Sequence, residues 1–170
     1  MKYLIADNHF GHFNIIRYCN RPFTSVEEMN EEMIRRWNAT VSPVDEVLHL
    51  GDFALGPSDK VREYRNRLNG SLTLVMGNHD RSSMKFWHEL GVVVYKRPFE
   101  YKGVLFSHAP IMHPDLPNVH GHTHENNTNI AGIHICVSVE QINYTPISID
   151  KIRERVAHAQ QVVLDGQNKE

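Results

Sequence analysis

Five short polar segments hold the side chains able to do chemistry: Asp7-Asn8-His9, Gly51-Asp52, Gly77-Asn78-His79-Asp80, Ser107-His108 and Gly121-His122-Thr123-His124. Residues i and i+2 of an extended chain point the same way. Asp7 with His9, and His122 with His124, are therefore expected to aim two ligand heads each from one strand end. Glycines before Asp52, Asn78 and His122 permit tight turns and close backbone approach. The donors are nitrogen and oxygen, with no thiolate. Such a set suits Mn, Fe, Co, Ni or Zn better than Ca or Mg and argues against a closed structural zinc site. Two divalent ions held mainly by Asp7 and Asp52, with neutral His and Asn, leave a strongly electropositive centre. That centre lowers the pKa of a bridging water and attracts an anionic substrate.

The elements that must position these residues read as short apolar runs alternating with amphipathic helices, an α/β pattern. Strands are expected at Tyr3 to Ala6, Glu46 to Leu50, Leu72 to Met76, Val92 to Tyr95, Phe99 to Tyr101, Val104 to Phe106, around Val119, and Ile133 to Val139. Helices are expected from Ser25 to Ala39, Pro57 to Leu68, Ser82 to Leu90 and Ser148 to Val163. Ser25 and Glu28 form a capping box for the first of these. Ile149, Ile152, Val156, Ala159 and Val163 share one face of the last. Residues 166–170 read as a frayed tail. Each polar segment follows an apolar strand, and loops leaving the carboxyl ends of strands are where α/β proteins build sites.

Taken in order, the motifs resemble those of the calcineurin-like metallophosphoesterases over about Asp7 to His124. Many members of that family carry Asp-x-His-Gly in the first motif. Here it reads Asp7-Asn8-His9-Phe10-Gly11-His12, which resembles a small-chain bacterial and phage-type subgroup. The resemblance implies two mixed β-sheets packed as a sandwich flanked by helices. It implies two divalent ions, manganese ranked first, with Asp7, His9 and His124 on one and Asn78, His108 and His122 on the other. Asp52 would bridge them. His79 would be the general acid, with Asp80 orienting its ring. A metal-bridging hydroxide would attack phosphorus in line, and protonation of the leaving oxygen by His79 would contribute about 10²–10⁴-fold. His12, Arg81 and His113 are candidate substrate contacts near this centre.

The substrate implied is a phosphoester. A diester is slightly favoured over a monoester, because His79 can protonate a poor leaving group. A nucleotide or short nucleic acid is a sub-case. The same fold can also serve as a partner-binding scaffold without a working centre, and a metal-binding regulator without turnover is a third option. The full ligand set together with His79 favours catalysis.

Bulk properties narrow the field further. The 170 residues, 41% apolar and 22% charged, fit one soluble domain over 1–170. A net charge of −2 indicates no broad basic face for nucleic acid. Cys19 and Cys136 make neither a disulfide framework nor a thiolate site. No stretch approaches a membrane span and no signal peptide pattern is present, so a cytoplasmic location is expected. Oligomeric state is left open. Of the twelve histidines, His49 and His120 lie in expected strands and read as hydrogen-bonded core groups, while His88, His134 and His158 carry no special signal. Trp37 and Trp87 fit core faces rather than base-stacking platforms.

Overall fold

The computed structural model describes residues 2–126 and 134–167, with side chains described as far as 161. Among the described residues nine strands fall into two mixed sheets. In the first, β1 (Tyr3–Ile5), β2 (Glu46–His49), β3 (Ser71–Val75) and β4 (Val93–Tyr95) run parallel, and β9 (Ile147–Ser148) pairs antiparallel with β1. In the second, β5 (Phe99–Tyr101) is antiparallel to β6 (Val104–Phe106), while β6, β7 (Asn118–His120) and β8 (His134–Cys136) are parallel. The sheets are tied where Ala6, at the end of β1, exchanges backbone hydrogen bonds with Val137 and Val139 just after β8.

Helices α1 (Phe13–Tyr18), α2 (Val26–Thr40), α3 (Ser58–Arg67), α4 (Met84–Glu89) and α5 (Ile149–Gln167) supply the rest of the packing, with a 3₁₀ turn at Val139–Ile142. α2 buries Met29, Met33, Ile34 and Trp37, a stripe at helical spacing. Its N-terminus departs from the expected box by one residue. Ser25 Oγ accepts from Glu28 N, but the Glu28 carboxylate reaches back past Ser25 to the amide and hydroxyl of Thr24. One contiguous core joins β1, β2 and β3 to β6, β7 and β8 and includes Trp37 and Trp87, each 1% exposed.

α1 and β9 were not expected from the sequence. α1 has six residues, too few to show a period, and His12 makes no side-chain cap bond there. β9 has two residues. α5 continues to Gln167, into the segment expected to fray. Ile133, residues 168–170 and the side chain of Val163 lie outside the described residues. Among the described residues no helix is long and apolar enough to cross a membrane.

Candidate metal centre

The five motifs follow β1, β2, β3, β6 and β7, so they gather at the carboxyl ends of parallel strands. Two clusters of ligand atoms result. In each of Asp7–His9–His124 and Asp52–His108–His122, the atoms lie within 4.8 Å of one another. Asn78 Oδ1 joins the second cluster, 3.0 Å from His108 Nε2. Asp52 faces both. Its Oδ2 is 3.5 Å from His9 Nε2 and 3.5 Å from His108 Nε2, while its Oδ1 accepts from His79 N at 2.8 Å.

Convergence is achieved differently from the extended pairs expected. Asp7 (φ 59°), His9 (50°), Asp52 (57°), His122 (69°) and His124 (50°) are all left-handed. Outside glycine this region is sparsely used, with Asn, Asp and His the best tolerated. Tertiary hydrogen bonds hold the first turn there: Asp7 N to Gly51 O at 2.9 Å and His9 N to Asp52 O at 3.0 Å. Glycine is required at two approaches. A Cβ on Gly77 would run into the Asp52 carboxylate, and one on Gly121 would meet Asp7 Oδ2 and the Ala6 side chain.

The donor chemistry fits cations. Asp7 Oδ2 accepts from His122 N at 2.8 Å and Ser138 Oγ at 2.6 Å. Asp7 Oδ1 and both ring nitrogens of His9 are buried with no hydrogen-bond partner among the described residues. Each such group costs about 1–3 kcal/mol if left unmet, and here the orphans share one cluster. In the second cluster His108 Nδ1 donates to Leu50 O at 2.8 Å, so the neutral ring presents a bare lone pair at Nε2. That lone pair faces Asn78 Oδ1, Asp52 Oδ2 and His122 Nδ1, the last at 3.1 Å. Acceptors meeting at such distances need a proton or a metal ion between them.

The ionisation states follow the same logic. Burial pushes the Asp7 carboxyl up to about 6 and drives His9 down to about 2, leaving that ring neutral. Where a proton rather than an ion stands between Asp52 and His108, it can sit on the His108 ring instead. For Asp52, burial is then outweighed by the hydrogen bond and charge of that ring, so its carboxyl stays well below the usual range. For His124, burial is outweighed by hydrogen bonds with Cys19 and Glu140 and by the charge of Asp7, which raise it to about 11. His108 is raised too, burial being overcome chiefly by Asp52 and Asp7.

A model of the calcineurin-like phosphoesterases matches residues 3–159. The chain belongs to that family. It is therefore a hydrolase of phosphoester bonds that works with divalent metal ions. It is 42% identical over 164 residues to the uncharacterized protein MJ1445 of Methanocaldococcus jannaschii, covering 88% of each chain. Among solved structures it resembles the protein of unknown function AQ665 from Aquifex aeolicus, with a TM-score of 0.70, 27% identity, and 89% of this chain and 97% of that one covered. It shares its fold with the Pseudomonas putida nuclease MPE, at a TM-score of 0.50 and 24% identity, covering 71% of this chain and 60% of the nuclease.

Around the centre of this phosphoesterase, the His79 ring stands 5.1 Å from that of His9, and the His12 ring 5.6 Å from His9 and 6.2 Å from His79. His12 is thus brought to the rim. Burial and the neighbouring His79 lower its pKa.

Asp80 is a correction. Rather than the His79 ring, its carboxylate meets backbone amides, Oδ2 accepting from Asp52 N and Gly77 N at 2.8 Å and Oδ1 from Phe53 N at 2.9 Å. It is 5% exposed and turned inward, where it clamps the second and third motif loops together. His113 Nδ1 accepts from Asp115 N and Leu116 N, which folds its own loop, and Arg81 is exposed. Among the described residues no contact ties either of these two side chains to the centre.

Several supporting residues lay outside the motifs. Asn118 is buried and accepts from Ile111 N at 2.8 Å while its amide donates to Ser107 Oγ at 2.9 Å, holding the His108 loop. Ser138, Arg21 and Glu140 brace the first cluster. Asn118 sits beside Val119, where a strand was expected, which could have flagged it; no local signal marks the other three.

Proposed function

We propose that this phosphoesterase hydrolyses phosphodiesters at a two-metal centre, with Asp7, His9 and His124 holding one ion, Asn78, His108 and His122 the other, and Asp52 shared. The carrying observation is Asp52 Oδ2, 3.5 Å from a histidine nitrogen of each cluster. Manganese is the proposed occupant, in keeping with a mixed N/O set that lacks thiolate. When bound, such ions supply Lewis acidity toward the phosphoryl oxygens and a water made nucleophilic at neutral pH. The chain's own residues do the rest. Asp7 and Asp52 carry the only carboxylates among the proposed ligands, so the loaded centre keeps a net positive charge that orients a phosphate anion. His79, beside His9, is the proposed general acid and delivers its proton to the leaving oxygen. His12 on the rim is positioned to contact the leaving group.

Donation by His79 matters most where the leaving group is poor, which is the reason to favour a diester. A nucleotide or short single strand suits the net charge of −2 better than a long duplex. Two free thiols, one buried and one half-buried, suit a reducing, cytoplasmic setting.

The test compares wild type with His79→Gln, both manganese-loaded, on bis-nitrophenyl phosphate, nitrophenyl phosphate and a dinucleotide. Wild type is expected to prefer the diesters. His79→Gln is expected to lose about 10²–10⁴-fold on the dinucleotide and much less on the activated nitrophenyl esters. No metal-dependent turnover on any ester would overturn the proposal, and equal losses on good and poor leaving groups would remove His79 as the acid.

A further inference from the structure

Arg21 and Glu140 belong to none of the five motifs, yet their side chains are 0% and 6% exposed. Glu140 Oε1 lies 3.1 Å from His124 Nδ1. A carboxylate only accepts, so Nδ1 keeps its proton, and Nε2 is the nitrogen that can give one up and offer a lone pair on the side shared with Asp7 and His9. The same carboxylate oxygen receives Nε and Nη2 of Arg21, both at 2.8 Å. Arg21 then reaches on, with Nη2 donating to Asp7 O at 2.7 Å and Nη1 to Asn8 O at 2.9 Å. One buried guanidinium therefore links the left-handed turn of the first motif to the carboxylate that grips the last histidine of the fifth.

Cys19, His124 and Glu140 also lie close enough to resemble a third cation site. Arg21 argues against that. Its two charge-assisted bonds already neutralise Glu140, and His124 needs its other nitrogen for the cluster with Asp7 and His9.

We infer that Glu140 and Arg21 are positioning residues of the first metal cluster: Glu140 fixes the tautomer of His124 and strengthens it as a donor, and Arg21 locks Glu140 to the Asp7–His9 turn. The inference rests on the reading of His124 as a ligand. A carboxylate behind a metal-bound imidazole raises ligand basicity, and losing it typically costs about 10–100-fold in metal affinity. The outer partner of His108 in the second cluster is a neutral carbonyl, that of Leu50.

The experiment is calorimetric titration of the metal-free full chain with Mn(II), for wild type, Glu140→Gln, Glu140→Ala, Arg21→Lys and His124→Ala. The visible spectrum of each Co(II)-loaded protein is recorded alongside. Glu140→Gln keeps size and one acceptor oxygen but drops the charge. It is expected to weaken the tighter binding step by about 10–100-fold, leave the weaker step unchanged and shift the Co(II) ligand-field bands. Arg21→Lys, which keeps the charge but loses the fork, should fall between it and wild type. If Glu140→Ala fails to fold, the isosteric Glu140→Gln carries the decision. Wild-type affinity and spectrum in Glu140→Gln, with the tight step lost in His124→Ala, would overturn the inference alone. A tight step that survives His124→Ala would overturn the ligand reading, and the inference with it.

Discussion

In the cluster of Asp7, His9 and His124 the first two are buried and the third half-buried, whereas Asn78 and His122 of the other cluster are exposed. Asp7 is 0% and His9 2% exposed. In the covered half, Asp7 Oδ1 and both ring nitrogens of His9 have no hydrogen-bond partner among the described residues, and a charged pair stands behind the last histidine. In the open half, Asn78 and His122 have solvent beside them, and the neutral carbonyl of Leu50 stands behind His108. A covered, electrostatically braced site pays less reorganisation when it binds an ion, so it should hold one tightly. An open site exchanges its ion more freely and is where a phosphate can approach. Asp52, whose Oδ2 stands 3.5 Å from a histidine nitrogen of each cluster, is the group that would couple a resident ion to a replaceable one.

The largest effect should come from removing one imidazole on each side. His124→Ala is expected to abolish tight Mn(II) binding and, through the shared Asp52, to disable the second site. His122→Ala should lose the weaker ion and keep the tight one. Both variants should lose turnover by about 10²-fold or more, the scale of removing a preorganised charge-stabilising group. Metal counting by plasma mass spectrometry after desalting separates them, with about one ion retained by His122→Ala and none by His124→Ala. The reverse order would break the comparison.

A smaller effect is expected from pH. Binding in the covered half displaces the proton that His124 holds up to about 11 and, below about 6, that of Asp7 as well. Affinity therefore falls as pH falls. Its logarithm should change by about one per pH unit above 6 and by about two below it, following the protons released. A single slope across pH 5–8 would show that Asp7 is not protonated in the metal-free protein.

How far these roles were legible in the sequence differs from residue to residue. The proposed ligand motifs stand out because each sits in a short polar segment at a strand end. Trp37 and the Met29–Met33 stripe follow helical periodicity. The left-handed turn at Asp7 and His9 did not show, because long-range bonds to Gly51 and Asp52 hold it, and a local i, i+2 pattern reads as extended chain. Glu140 is sixteen residues from His124 and Arg21 much farther, so only the fold brings them together. Asp80 sits where a ring-orienting acid was expected, and the backbone amides of three residues claim it instead.

His49 offers the smallest test and the sharpest contrast with the proposed ligand histidines. Its Nδ1 accepts from Gly51 N at 3.1 Å and its Nε2 donates to Asn8 Oδ1 at 2.9 Å, so both nitrogens are used. Burial lowers its pKa to about 3. For a base with a lowered folded pKa, the stability contribution is fully present above the unfolded value, near 6.5, and is lost as pH falls toward 3. Its share of the slope is at most about 1.4 kcal/mol per pH unit. His49→Gln should flatten the fall in urea midpoint between pH 6 and 4 while leaving Mn(II) affinity within a few-fold of wild type. An unchanged slope would place the acid sensitivity on other groups.

The most direct measurement is turnover of bis-nitrophenyl phosphate by the metal-free protein as Mn(II) is added in sub-stoichiometric steps, with bound metal counted at each step. Two unequal sites predict little activity through the first equivalent and a steep rise through the second. Full activity with one ion bound, or activity that survives complete removal of metal, would contradict the two-metal account.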